Sequence, residues 1–456
     1  MLIHELDNVE VNLDNGHKYA LREIKKGEEI IKYGQPIGIA QIDIGKGEHV
    51  HSHNMKTALG DNLTYTYEPK FTPLKKADGE AYFMGYLREN GEVGIRNEIW
   101  IVNTVVCVNK VAERLAALTG ARYFPHPNGC SQLGDDMSVT QKILAGMVNH
   151  PNAGAVLVLG LGCENNNIPE FKKVLGDYNP ERVKFLNTQD VEDEIDEGVK
   201  LINELKKYAS RFERTKQPVS KLKLGLKCGG SDGYSGITAN PLVGRVSDKL
   251  ISMGGSSVLT EVPEMFGAEH LLMRRCENEE IFNKTVSLIN DFKDYFRRHN
   301  QVVYENPSPG NKEGGITTLE EKSLGCVQKG GTSKVVDVLT YGDRLTKNGL
   351  SLLNGPGNDA VAITNLMAAG VQIILFTTGR GTPIGSSVPT VKIATNHALA
   401  EKKSNWIDFD ASGVLDGKLL TDELFNYIIE VASGMETKNE TNDYREISIF
   451  KDGVTL

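Results

Sequence analysis

The 456-residue chain is 39% apolar and 24% charged, a globular composition that excludes general disorder and leaves room for two or three domains. Its net charge of -9, with no basic tail or patch, argues against a nucleic-acid or anionic-membrane binder, so an anionic ligand would need local Lys and Arg. No stretch reaches the roughly 18 apolar residues of a membrane span, and residues 1–11 lack the basic start and apolar run of a signal peptide, so a cytoplasmic location is expected.

Residues 1–66 read as an all-β domain. The runs 8–13, 18–21, 29–33 and 36–43 are short, are punctuated by Asn15-Gly16, Lys26-Gly27 and Lys46-Gly47, and show no helical period. Within this domain His49, His51 and His53 recur at every second position, so on a strand all three rings would leave one face. Metal ligation and proton transfer both suit that arrangement. Residues 67–80, with Pro69, Pro73 and several charges, read as a linker.

From 81 to 215 strands alternate with helices. Strands are expected at 99–106, 122–124, 155–161 and 183–186, and helices at 111–118, 139–148 and 191–212, a pattern that implies a parallel sheet covered on both faces. A polar stretch, 213–220, separates this from a second α/β unit, 216–456. There strands are expected at 222–226, 258–262, 335–339, 371–377 and 391–394, and helices at 242–253, 264–275, 278–298, 358–369 and 421–433. The fold class is therefore α/β: a small N-terminal all-β domain followed by two α/β units with largely parallel sheets.

Several strand-to-helix loops carry the chemistry. Residues 227–241 hold four glycines with Cys228, Ser231, Asp232 and Asn240, at the strand end where open α/β sheets bind ligands. Gly160-Leu161-Gly162-Cys163-Glu164-Asn165 begins like a dinucleotide fingerprint but has Asn165 at its third glycine position, so nicotinamide binding is not expected. Its polar residues suit hydroxyl groups or helix capping. Glycines flank Arg380 in 377–385, a setting fit for a carboxylate clamp or a surface ion pair, and Arg96 and Asn97 before another strand could act similarly. Of six cysteines, Cys107 sits in the apolar run 105–108 and reads as structural. Cys130, Cys163, Cys228 and Cys326 each adjoin a glycine and read as placed for access, with metal ligation by at least two in view.

The motifs 49–54, 94–98, 128–136, 160–166, 227–241, 260–264, 307–312 and 377–385 resemble those of the altronate and galactarate dehydratases, in order and over nearly the whole chain. Residues 261–269 and the ending 450–456 look closest to the altronate branch, and the N-terminal part resembles the small β-clip domain known as SAF. The resemblance implies a hydro-lyase that takes D-altronate to 2-keto-3-deoxy-D-gluconate in hexuronate catabolism and depends on Fe2+ or Mn2+, with an iron-sulfur cluster left open. Galactarate or another sugar acid is the alternative substrate, and a non-catalytic sugar-acid-binding protein the remoter reading. On this basis His51, His53, Arg380 and Asp232 are the catalytic candidates; Arg96, Asn97, Asn165, Ser231 and Asn240 the substrate-binding ones; and His49, His51, Cys130, Cys163, Cys228 and Cys326 the metal ligands. The four glycine-flanked cysteines are expected to converge on one site. The expected partner is a small-molecule sugar acid, with no nucleic acid and no membrane, and a homo-oligomer is left open.

Overall fold

The computed structural model describes residues 1–60, 64–77 and 79–453. Residues 61–63 of the expected β domain, Asp78 of the expected linker and 454–456 of the terminal motif lie outside the described residues.

The N-terminal domain is built from two three-stranded sheets, one of Val9–Val11, Lys18–Ala20 and His49–Val50, the other of Glu29–Lys32, Gln35–Ala40 and Met55–Lys56. Their pairings are antiparallel. Alternation places Val9 and Val11 inward and Glu10 outward. Only His49 of the three alternating histidines lies on a strand. The Asn54 side chain accepts from the His51 amide at 2.9 Å and the His51 carbonyl accepts from the Asn54 amide at 3.0 Å, which bends 51–54 into a turn. Residues 64–77 carry no regular structure and run along the C-terminal unit, where the Tyr67 hydroxyl donates to the Cys276 carbonyl at 3.1 Å.

The second unit is a four-stranded parallel sheet in the order Arg122–Tyr123, Glu98–Asn103, Ala153–Gly160, Val183–Asn187. Ala153–Gly160 is buried at every position, as a strand covered on both faces must be. Asn109–Thr119 and Glu194–Ala209 pack on one face through Leu115, Ile202 and Leu205, and Gly134–Val148 with Ile168–Leu175 on the other through Ile143, Met147 and Phe171. The long helix starts later than its pattern suggests because the Asp193 carboxylate caps it, accepting from the amides of Ile195 and Asp196. The polar stretch after it is more than a separator. Arg214–Pro218 pairs antiparallel with Tyr82–Leu87, using main-chain hydrogen bonds that leave no apolar signature.

The C-terminal unit is a seven-stranded parallel sheet, ordered Val335–Leu339, Gly349–Leu353, Ser256–Leu259, Lys223–Cys228, Ile373–Thr378, Thr390–Ala394, Phe409–Asp410. The expected helix 264–275 shrinks to Glu269–Met273, because Pro263 sits in a 3-10 turn and Gly267 turns the chain at φ 86°. From the central strand Lys223–Cys228 the chain first builds outward through Ser256–Leu259, then returns to its other side with Ile373–Thr378. The loops leaving Cys228 and Thr378 lie side by side at a topological switch point, where open α/β sheets place their ligand crevice, and the Gly379 and Arg380 amides donate to the Gly230 carbonyl at 3.0 and 3.1 Å. Among the described residues no helix is long and apolar enough to cross a membrane.

Candidate functional site

The β domain docks onto this crevice through close backbone approach and buried charge. A Cβ on Gly233 would lie 1.9 Å from the Gly16 carbonyl oxygen, and one on Gly315 2.6 Å from the same atom, so the 12–17 turn is seated between two C-terminal loops. Lys18 and Lys32, both fully buried, reach across to the two oxygens of Glu321 at 2.8 and 2.9 Å. Burial lowers Lys18 to about 8 despite Glu321, whereas the two ammonium groups overcome burial and hold Glu321 down at about 2.

That docking carries the histidines to the C-terminal unit. His51 Nε2 lies 2.9 Å from the Lys312 carbonyl and Nδ1 lies 2.8 Å from Thr317 Oγ1. A carbonyl only accepts, so the proton belongs on Nε2 and the Thr317 hydroxyl donates to Nδ1. Burial, then the nearby Lys18 ammonium, push His51 below its ordinary value. His49 is 3.0 Å from His17, ring nitrogen to ring nitrogen, and burial together with His17, His51 and His53 lowers it to about 4. His53 is exposed, its ring 5.6 Å from that of His49. The turn gathers the rings as a strand would, and recruits His17.

Below the crevice floor lies a second, fully buried cluster. Cys228 ends its strand with Sγ 3.4 Å from Cys326 Sγ and 2.9 Å from Glu264 Oε2, while Cys326 Sγ is 3.2 Å from the same oxygen. Among the described residues this is the one trio of His, Cys, Asp or Glu ligand atoms lying mutually within 4.8 Å. Lys329 Nζ donates to Cys228 Sγ at 2.8 Å, Lys322 pairs with Glu264 Oε1 at 2.8 Å, and Lys227 pairs with Glu261 and, at 2.7 Å, with Asp359. The Cys326 thiol hydrogen bond, against burial, lowers Cys228 to about 6; the same bond and burial push Cys326 well up. Two sulfurs and a carboxylate thus share one spot, a donor set of the type that takes a divalent cation, with Lys329 and Lys322 as the present partners of Cys228 and Glu264.

Arg380 lies half exposed at the crevice mouth, its Nη1 3.3 Å from the Gly310 carbonyl and Nη2 3.0 Å from Glu313. Since Lys312 touches His51, the short helix Pro309–Glu313 stands between the histidines and Arg380. Asp232 is buried with its oxygens committed to Thr395, Asn396 and Ser235, and it fills the space a Cβ on Gly379 would need. The Ser231 carbonyl accepts from Asn311. The Asn240 amide donates to the Gly325 carbonyl at 3.0 Å, and its oxygen accepts from Thr377. Ser231, Asn240, Lys322 and Cys326 nonetheless line one small cavity of about 10 Å³, room for about one water.

The remaining candidates lie on the second unit. Arg96 forms a two-pronged pair with Glu440 at 2.7 and 2.9 Å, and Asn97 bonds Arg88 and the Ala209 carbonyl; both precede the start of Glu98–Asn103, at the opposite end of that strand from the Cys130 and Cys163 loops. Cys130 and Cys163 are exposed, and Asn165 accepts from the Ser131 amide between them. So two of the four glycine-flanked cysteines meet beneath the crevice, and the other two keep to different loops. Sequence reasoning missed His17, Thr317, Glu321, Lys322 and Lys329 altogether, and saw Glu264 only as part of a motif. The signal for the lysines and Glu321 is weak, because charged residues on a short helix ordinarily face solvent.

Comparison with known proteins covers almost every residue of the chain. Residues 2–58 match the altronate/galactarate dehydratase SAF domain, 85–210 the second domain of D-galactarate dehydratase/altronate hydrolase, and 219–455 the D-galactarate/altronate dehydratase C-terminal domain. The altronate dehydratase of Bacillus subtilis is 55% identical, over 98% of this chain and 93% of its own, and that of Escherichia coli 53%, over 100% and 99%. The L-threo-forming galactarate dehydratase of Escherichia coli is 33% identical over 93% of this chain and 86% of its own. Three consecutive domain matches and two full-length relatives above half identity agree, and the chain belongs to the D-galactarate/altronate dehydratase family.

Proposed function

We propose that the chain is a hydro-lyase that removes water from D-altronate to give 2-keto-3-deoxy-D-gluconate, as a cytoplasmic step of hexuronate catabolism. The observation that carries this reading is the 53–55% identity to two altronate dehydratases over nearly the full length, against 33% to the galactarate enzyme.

Removing a proton next to a carboxylate builds a second negative charge on that carboxylate, so the site must offer cations. Arg380 is free to exchange the exposed Glu313 and the Gly310 carbonyl for two parallel hydrogen bonds to the substrate carboxylate. His51 and His53 are assigned the proton transfers: one imidazole takes the C2 proton and the other returns a proton to the departing C3 hydroxyl. Burial and Lys18 keep His51 neutral near pH 7, and Nδ1, the ring nitrogen without the proton, becomes the base once the Thr317 hydroxyl turns away from it. Asp232, with its oxygens already engaged, is assigned to hold the Gly379-Arg380 turn in place, and Asn240 to hold the floor. A divalent metal, when bound, would supply Lewis-acid polarisation to an oxygen that reaches it. Cys228, Cys326 and Glu264 would hold it, and their sulfur donors favour iron over manganese.

The test is an anaerobic assay of the purified chain with ferrous iron or manganese against a panel of sugar acids, reading 2-keto acid formation. The largest kcat/KM is expected for D-altronate. Preference for galactarate would overturn the substrate, and binding of altronate with no keto acid from any panel member would overturn the enzyme reading.

A further inference from the structure

Three loops at the carboxyl edge of the second unit's sheet each carry one cysteine. Cys107 lies on the 3-10 turn Val106–Val108 after Glu98–Asn103, Cys130 follows Arg122–Tyr123, and Cys163 follows Ala153–Gly160. All three are exposed, including Cys107, whose apolar neighbours suggest a core position: Val105 and Val108 turn inward and leave the thiol outside. The loops are stitched together. The Val106 amide donates to the Asn128 carbonyl at 2.9 Å, the Asn166 amide to the Gly129 carbonyl at 3.1 Å, and the Ser131 amide to Asn165 Oδ1 at 2.9 Å. Gly129 runs so close to the first loop that a Cβ there would sit 2.0 Å from the Thr104 carbonyl oxygen.

A second feature of the same loops is independent of the thiols. Asn103 Oδ1, Asn128 Nδ2, Gln132 Nε2 and Asn166 Oδ1 are buried without a hydrogen-bond partner, in residues no more than 5% exposed. Each such atom costs about 1–3 kcal/mol, and four of them gathered where three loops meet is what a ligand site looks like without its ligand's partners.

We propose that Cys107, Cys130 and Cys163 hold an iron-sulfur cluster. A single tetrahedral ion holds its sulfur ligands roughly 3.8 Å apart, given metal-sulfur bonds near ~2.3 Å. These three sulfurs are spread more widely, since among the described residues the only mutually close trio is Cys228, Glu264 and Cys326. A cluster instead takes each thiolate at a different iron, and its potential and stability respond to hydrogen bonds to sulfur, for which the Asn128 and Gln132 amides are donors at hand. Three thiolates leave one iron of a four-iron cluster without a protein ligand, open to a carboxylate or hydroxyl oxygen. The inference goes beyond the dehydratase reading and does not depend on which sugar acid is the substrate.

The test uses the full chain, purified anaerobically and reconstituted with ferrous iron and sulfide, with iron, acid-labile sulfide and visible absorption measured apart from any turnover. About four iron and four sulfide per chain are expected, with absorption bleached by dithionite. Cys107→Ser, Cys130→Ser and Cys163→Ser should each lose most of the sulfide, whereas Cys276→Ser, at a buried thiol elsewhere, keeps it. Alkylation mapped by mass spectrometry supplies a reading that needs no variant: the three thiols should be protected in the reconstituted protein and labelled after chelation. Absence of sulfide after reconstitution, retention of it in all three serine variants, or a single zinc in its place would overturn the proposal, and keto-acid formation measured in parallel keeps this outcome distinct from failure of the dehydratase reading.

Discussion

A histidine whose two ring nitrogens are both taken by another domain does two jobs at once. His51 ties the β domain to Lys312 and Thr317, and in the proposed reaction it also moves a proton. His51→Ala should lower kcat by at least about a hundredfold, the scale of losing an acid or base, and an unchanged kcat with folded protein would remove it from the chemistry. Arg380 is simpler because it is half exposed and anchors little. Arg380→Lys keeps the charge but loses the planar fork, so kcat/KM should fall while the melting temperature stays put. Unaltered kcat/KM would count against the clamp. The histidine run and the glycine-flanked Arg380 were legible because both are local patterns in the chain. His17 was not, since it meets His49 only through pairing of Lys18–Ala20 with His49–Val50, a register that a sequence does not display.

At the scale of elements, Leu319–Cys326 explains why half of the buried cluster escaped sequence reasoning. Every residue of this helix is buried, including Glu320, Glu321 and Lys322, so it has no polar face and no amphipathic period to read. Its charges point instead at three different partners: Glu320 at Thr57 and the Ala58 amide, Glu321 at Lys18 and Lys32, and Lys322 at Glu264. Gly349–Leu353 escaped for the opposite reason, as a short strand lacking β-branched residues. Loops have their own constraint where they cross. Gly233→Ala would drive a methyl into the Gly16 carbonyl, so the 12–17 turn must lift. Proteolysis within residues 12–17 is expected to quicken and turnover to fall, while Gly91→Ala, at a turn with nothing nearby, should cost stability without either effect.

For the molecule as a whole, the alternation of strands and helices follows from hydrophobic patterning and was legible in the sequence, whereas the strand order that sets the switch point after Lys223–Cys228 is not displayed by patterning. How the β domain sits on that framework does not follow from patterning, because the joint includes buried charge: two lysines on one side, one carboxylate on the other. Removing the only counter-charge from such a group is costly, about 3–5 kcal/mol, so Glu321→Gln should release or destabilise the β domain near neutral pH. The pH dependence has a definite sign. Glu321 is held at about 2 in the fold against an ordinary 4.5, so the unfolded state binds the extra proton as the solution is acidified; its stabilisation is complete above about 4.5 and is lost as pH falls towards 2. Lys18 works the other way. Its folded value of about 8 lies below the ordinary 10.5, so between those values the unfolded state binds more protons and this group's contribution to stability rises with pH. The joint should therefore weaken in acid and not in mild alkali. In denaturant titrations the gap in stability between the native chain and Glu321→Gln should be widest near neutral pH and narrow steadily from pH 4.5 towards 2. A gap independent of pH below 4.5 would mean that the two lysines are not balanced by Glu321.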